Sequence, residues 1–162
     1  MRGGGVILLI PKDLKYCDIV HPNLSHIDII SIKILNSLPI VLSVVYCPPI
    51  NKRSHILSEI DMIFSKCETL NCKQVFIGDF NFDINSLNVN FYTRMFINLI
   101  KEYSLFQLIK FPTHNHCSTI DLLVIDDPSL VSDRDFGLKF SFQLNSSHAQ
   151  LFLNYRCNIN SI

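Results

Sequence analysis

Residues 40–46 read Ile-Val-Leu-Ser-Val-Val-Tyr, apolar on both faces of any strand they form, and Cys47-Pro48-Pro49 ends them at once. A strand apolar on both faces must be covered on each side, which places it inside a layered sheet. Proline has no N–H to give to a ladder, so the sheet is expected to stop there. Residues 27–34 alternate in the strand manner, with Asp28 and Lys33 near the ends and a turn at Asn36-Ser37. Their closeness to residues 40–46 predicts an antiparallel pair.

The rest of the chain alternates helix and strand signals. Gly3 to Gly5 lead into a short apolar run at residues 6–10, expected as a strand. Ser54 is a candidate helix N-cap, and after it Ile56, Leu57, Ile60, Ile63, Phe64 and Cys67 recur at helical spacing, ending near Leu70-Asn71. Residues 74–78 read as a buried strand that runs out at Asp79. A polar loop over 81–90 leads to a second helix with Tyr92, Phe96, Leu99, Ile100 and Tyr103 on its apolar face. Strands are expected at 106–110, 119–126, 139–142 and 150–155, with a loop at 145–148 between the last two. A strand–helix–strand unit within a mixed order argues for an α/β layered fold. The length of 162 residues suits one domain, with no repeat and no linker.

A composition of 48% hydrophobic and 17% charged residues is too apolar for a disordered chain. The longest apolar runs, 6–10 and 40–46, are far short of the roughly 20 residues needed to span a bilayer. Arg2-Gly3-Gly4-Gly5 ahead of the first run imitates a signal peptide, but Pro11, Lys12 and Asp13 cut it short and no small-residue cleavage site follows. The expectation is a soluble, intracellular chain that is not secreted and makes no membrane contact. The formal net charge of zero argues against strong stand-alone binding to nucleic acid, which draws on a basic excess. A metal-dependent nuclease stays open, because its site adds carboxylates. Cys17, Cys47, Cys67, Cys72, Cys117 and Cys157 form no C-x-x-C pair and are expected to be reduced and mostly buried.

Four places carry candidate chemistry. In Ile77-Gly78-Asp79-Phe80-Asn81, an apolar strand ends on Gly and then offers a carboxylate and an amide two residues apart, on one side if the strand continues. A carboxylate can bind a hard cation or take a proton from water, and an amide can hold a phosphate oxygen without charge repulsion. Read alone, the same residues are an Asp-Asn turn. Tyr46 closes a strand with a hydroxyl that can donate to a phosphate, or is simply half-buried before the prolines. Ser118-Thr119-Ile120-Asp121 puts a carboxylate at the start of an apolar strand. Ser146-Ser147-His148 puts a histidine in a loop, where such side chains are usually only solvated.

In combination these pieces say more. The order Tyr46, then Gly78-Asp79-Phe80-Asn81, then Ser118-Thr119-Ile120-Asp121, then Ser146-Ser147-His148 resembles the endonuclease/exonuclease/phosphatase superfamily. Arg2-Gly3-Gly4-Gly5-Val6, Tyr46-Cys47-Pro48-Pro49, Phe111-Pro112-Thr113-His114 and Asp127-Pro128-Ser129-Leu130-Val131 resemble its LINE-type (non-LTR) retrotransposon branch. The resemblance implies a DNase I-like α/β fold, a two-sheet sandwich flanked by helices. It implies Mg²⁺- or Mn²⁺-dependent cleavage of phosphodiester bonds in DNA, a reverse-transcriptase domain in the intact parent polyprotein, and a nuclear location if functional. Asp79 would orient or activate water near the metal, Asn81 would hold the phosphate or that water, and Tyr46 would contact the phosphate. His148 would stabilise the transition state, oriented and charged by Asp121.

The pattern departs from the family twice. The family opens with a strand bearing Asn and a second ending in a metal-binding Glu, and nothing before Arg2 supplies either, so the fold is expected to be incomplete at its N-terminus. The family's last motif is Ser-Asp-His, and here Ser147 stands at the acid, a poor ligand for a hard cation. Residues 1–156 are thus expected to form a partial domain of this family and 157–162 a frayed tail, the whole weakly active or inactive as it stands. One alternative is an active phosphodiesterase completed by another segment or chain. A different class, a zinc-dependent interaction module, draws on Cys67, Cys72, His114, His116 and Cys117, although Cys67 falls on an apolar helix face that favours burial.

Overall fold

The computed structural model describes residues 5–21, 24–35 and 37–130. The central apolar run forms strand β3, Ile40–Tyr46, with the bounds its composition predicts. Strand β2, Asp28–Ile34, pairs with it antiparallel from Asp28↔Tyr46 to Ile34↔Ile40. A strand the sequence does not announce, β1 at Tyr16–Ile19, pairs antiparallel with the outer side of β2. Its Tyr-Cys-Asp-Ile sequence has no apolar alternation and stays largely exposed, so the ladder offered by β2 makes it a strand.

After the Pro48-Pro49 stop comes helix α1, Arg53–Glu68. Its N-cap is Lys52 and not Ser54: the Lys52 carbonyl accepts from His55 and Ile56, and the Ser54 hydroxyl makes no cap bond. The predicted face, Ile56, Leu57, Ile60, Ile63, Phe64 and Cys67, is buried, with Glu59 among it. The helix returns the chain to strand β4, Lys73–Asp79, parallel to β3 and in register from Ile40↔Lys73 to Tyr46↔Asp79. Helix α2, Phe91–Glu102, is capped by the Asn90 side chain accepting from Thr93 N–H. Its buried stripe is Thr93, Phe96 and Ile100, whereas Tyr92, expected on that face, is 39% exposed. Tyr92 lies four residues before Phe96 but in the first turn of the helix, where its ring meets that of Phe91 edge-on. Strand β5 is only Phe106–Gln107, shorter than the predicted 106–110, and β6 is Asp121–Ile125. A 3₁₀ turn at Pro128–Leu130 follows.

Among the described residues six strands form one mixed sheet in the order β1-β2-β3-β4-β6-β5. Both helices cover one face, over Val41, Val45, Phe76, Leu122 and Val124. Phe64 of α1 packs on Phe76 at 4.7 Å between ring centroids, and Phe96 of α2 stacks on Phe82 at 4.7 Å. The opposite face carries Ile40, Val75, Leu123 and Ile125, covered by Ile109. Residues 6–10 were expected as a strand, but among the described residues they join no ladder. They do alternate, with Ile7 and Leu9 outward at 83% and 88% exposure. The strands expected at 139–142 and 150–155, the loop at 145–148 and the tail at 157–162 lie outside the described residues.

Candidate functional site

Register, and nothing local, assembles the site. Asp28 pairs with Tyr46, Tyr46 with Asp79, and Asp79 with Asp121, across four adjacent strands. Direct cross-strand partners share a face of the sheet, with Cβ atoms about 5 Å apart. The four side chains therefore make one row at one end of the sheet. The row continues the side of Ile77 and Leu123, the face opposite the helices. Three of the expected residues, Tyr46, Asp79 and Asp121, stand in it. Asp28 is a fourth that sequence reading treated only as a strand end.

The row is acidic and only partly wet. Asp121 is buried at 8% exposure, Tyr46 is half-buried and Asp28 is exposed. Burial first, then the carboxylates of Asp79 and Asp28, push the Tyr46 phenol above its usual pKa. Tyr46 thus remains a neutral hydroxyl at any physiological pH, able to donate to an anion.

Asn81 reaches the row by a turn. The strand ends at Asp79, Asn81 adopts a left-handed backbone with φ of 53°, and the expectation of one continuous extended face through Asn81 does not hold. Asp79 Oδ1 accepts the Asn81 N–H at 2.9 Å, which is the Asp-Asn turn in the literal sense. The Asn81 side-chain N–H donates to the Cys47 carbonyl at 2.8 Å, and Cys47 N–H donates to the Asp79 carbonyl at 2.8 Å. Burial, then Asp79, pushes the Cys47 thiol far up, so it is neutral and not a nucleophile.

Asp121 is placed by polar residues that the sequence reading assigned no role. Thr113 Oγ1 accepts the N–H of Ile120 at 3.1 Å and of Asp121 at 2.9 Å. Asp83 Oδ1 accepts the Thr119 N–H at 2.9 Å, and Asn85 donates its side-chain N–H to Thr119 Oγ1 at 2.9 Å. The Phe111-Pro112-Thr113-His114 and Ser118-Thr119-Ile120-Asp121 pieces are thus two sides of one turn. The spacing of Thr113 ahead of Ser118 is the signal that could have found it.

His148 and Ser147 lie outside the described residues. Among the described residues, no group of three or more His, Cys, Asp or Glu side chains is placed to hold a metal ion. A hard cation such as Mg²⁺ takes only one or two carboxylates from protein and completes its shell with waters and substrate phosphates, so Asp79 could hold one, weakly, with no described cluster to fix it. The five residues of the zinc reading do not assemble either: Cys67 is fully buried, and the His114 and His116 rings sit 5.0 Å apart in the turn before Ser118. No described helix is long and apolar enough to cross a membrane.

The chain superposes on the endonuclease domain of TRAS1, a telomere-specific non-LTR retrotransposon, with a TM-score of 0.70 and 18% identity, covering 93% of this chain and 72% of that one. The mixed six-stranded sheet with two helices matches that DNase I-like endonuclease fold. Weaker similarity extends to an endonuclease/exonuclease/phosphatase family protein from Leptotrichia buccalis C-1013-b, at a TM-score of 0.44 and 16% identity over 71% of this chain and 49% of that one. It extends also to CdtB, the biologically active subunit of cytolethal distending toxin, at 0.47 and 11% over 85% of this chain and 55% of that one. No curated protein sequence matches the chain significantly. The profile described as endonuclease-reverse transcriptase matches residues 40–152, well over half of the chain and the whole of the Tyr46–His148 order, and the chain therefore belongs to the endonuclease-reverse transcriptase family.

Proposed function

We propose that this chain is a unit of a retrotransposon-type DNA endonuclease, built for phosphodiester hydrolysis and weakly active or inactive by itself. The observation that carries the reading is the row Tyr46, Asp79, Asp121 with Asn81 hydrogen-bonded onto Asp79. In it, Asp79 orients or deprotonates the attacking water, Asn81 holds that water or the scissile phosphate, and Tyr46 donates to a phosphate oxygen. Asp121 orients His148, whose imidazolium faces the charge that builds on phosphorus oxygens. The cofactor of this reading is Mg²⁺ or Mn²⁺. Asp79 is the single carboxylate left to it and holds such an ion weakly, and Ser147 adds no charge where the family pattern has an acid. DNA is the substrate, a reverse-transcriptase domain is the partner in the parent polyprotein, and the nucleus is the place of action. In this reading the unit extends over residues 1–156.

A plasmid-nicking assay tests this. The chain alone should not nick supercoiled DNA above background with Mg²⁺ or Mn²⁺. Joined to an upstream segment carrying the family's Asn- and Glu-bearing strands, and with Ser147→Asp, it should nick in a metal-dependent way. Asp79→Ala or His148→Ala should abolish that. A completed chain that folds and never nicks sinks the reading. EDTA-sensitive nicking by the unmodified chain, lost with Asp79→Ala, keeps the reaction and removes the claim of weak activity.

A further inference from the structure

Arg53 is the first residue of α1, directly after the segment that follows the Pro48-Pro49 stop. Its Nη1 donates to the Asn81 carbonyl at 2.9 Å, and its guanidinium carbon lies 5.1 Å from the centre of the Phe82 ring. Phe82 is itself fully buried and stacked on Phe96 of α2, so the guanidinium is braced against the core on one side and bonded to the turn on the other. Arg53 thus ties helix α1 to the Asp79–Asn81 turn through a charged hydrogen bond.

Asn81 needs such bracing. A left-handed backbone is uphill for a residue with a Cβ, and it persists only where its surroundings over-determine it. Three groups of Asn81 are tied down: its N–H by Asp79 Oδ1, its side-chain N–H by the Cys47 carbonyl and its own carbonyl by Arg53. The first two ties run to residues in or beside the row, and only the third runs to a helix. With all three in place, the Asn81 side-chain oxygen and its second amide hydrogen are left to meet a water or a phosphate oxygen.

We infer that Arg53 is a positioning residue for this site: by clamping the Asn81 carbonyl against Phe82 it fixes the left-handed turn that presents the Asn81 amide beside Asp79. The clamp stands on geometry alone; its value to catalysis rests on the endonuclease reading. A lysine cannot reproduce it in full, because one ammonium has neither the planar fork nor the flat face that stacks on an aromatic ring. Net charge explains none of this, since the partner of Arg53 is a neutral carbonyl.

Amide hydrogen exchange on the chain itself, followed by NMR, tests the clamp. In Arg53→Gln, protection of the Asn81 N–H should fall roughly ten-fold while the β3–β4 ladder amides of Val45 and Val75 keep theirs. Arg53→Lys should fall between the two and fold as wild type. Unchanged Asn81 protection in either variant overturns the inference, as does a loss shared equally with the ladder, which would mark Arg53 as merely structural. Nicking by the completed chain judges the functional reading separately. Lost protection with lost nicking supports both. Lost protection with unchanged nicking upholds the clamp and counts against the part given to Asn81.

Discussion

Gly78 lies so close to Val45 across the β3–β4 ladder that a Cβ on it would stand 1.9 Å from the Val45 carbonyl oxygen. The contact is with backbone, which cannot swing aside, and Gly78 also holds a φ of 146°, a region that L side chains rarely adopt. This is the pair of strands that delivers Tyr46 and Asp79 to one register. Gly78→Ala is therefore expected to lose about 4 kcal/mol or more, at the extreme of single-residue effects. Urea unfolding measures it. A variant within about 1 kcal/mol of wild type would show that the ladder is not tight here.

Glu59 is a buried anion on α1 with a single job. Its carboxylate accepts the backbone N–H of Ser25 at 2.9 Å, of His26 at 3.0 Å and of Ile27 at 3.0 Å, together with His26 Nδ1 at 2.9 Å. It anchors the segment that leads into β2, and so the position of Asp28. Truncation would orphan three backbone donors at once, and losing the charged partner of a buried set costs about 3 kcal/mol or more. Glu59→Ala should destabilise by about that much, and Glu59→Gln by less, in equilibrium urea titrations. Equal stability of Glu59→Ala and wild type would remove Glu59 as an anchor.

Stability should fall on the acid side. His21 bonds Ser31 through Nε2 at 2.8 Å, and Ser31 bonds Ser43 at 2.8 Å within the sheet. Burial first, then the charge of Lys66, lowers the His21 pKa below its ordinary 6.5. The unfolded chain then binds a proton that the folded one refuses, so stability is complete above that ordinary value and drains as the pH drops below it. Glu59 continues the loss lower down: burial pushes its carboxyl up, but the hydrogen bonds from Ser25 and His26 outweigh this and lower its pKa, so its contribution is lost as the carboxyl protonates in acid. Melting temperature should be flat at neutral pH and decline through mildly acidic pH, with the first part of the decline gone in His21→Gln. A wild-type curve flat to pH 5 would contradict the His21 assignment.

Ile7 and Leu9 point outward from a segment that joins no ladder among the described residues. Exposed apolar side chains on an unpaired extended segment invite association with other chains. Ile7→Lys with Leu9→Lys should reduce concentration-dependent association in sedimentation velocity and shift stability by no more than about 0.5 kcal/mol, as surface changes do. Unaltered association would place the adhesive surface elsewhere.

Much of this was legible in short stretches of chain. The apolar run of β3, the alternation of β2, the six apolar positions of α1 and the Gly78-Asp79-Phe80-Asn81 ending of β4 are local patterns, and each element formed within a residue or two of where the pattern lay. The motif order also led to the family. Local pattern misled where the partner decides: residues 6–10 have strand composition and join no ladder, while Tyr16–Ile19 lacks it and pairs because β2 offers an edge. The site was legible as a set of residues and not as an arrangement. That Tyr46, Asp79 and Asp121 stand in one line, that Asp28 joins them, that Asn81 turns left-handed and that Arg53 reaches it from α1 all depend on ladders and hydrogen bonds between segments far apart in sequence. Side-chain periodicity sets which face of a strand is apolar; only pairing sets its register, and a slip of one residue in a strand would have turned its member of the row to the other face.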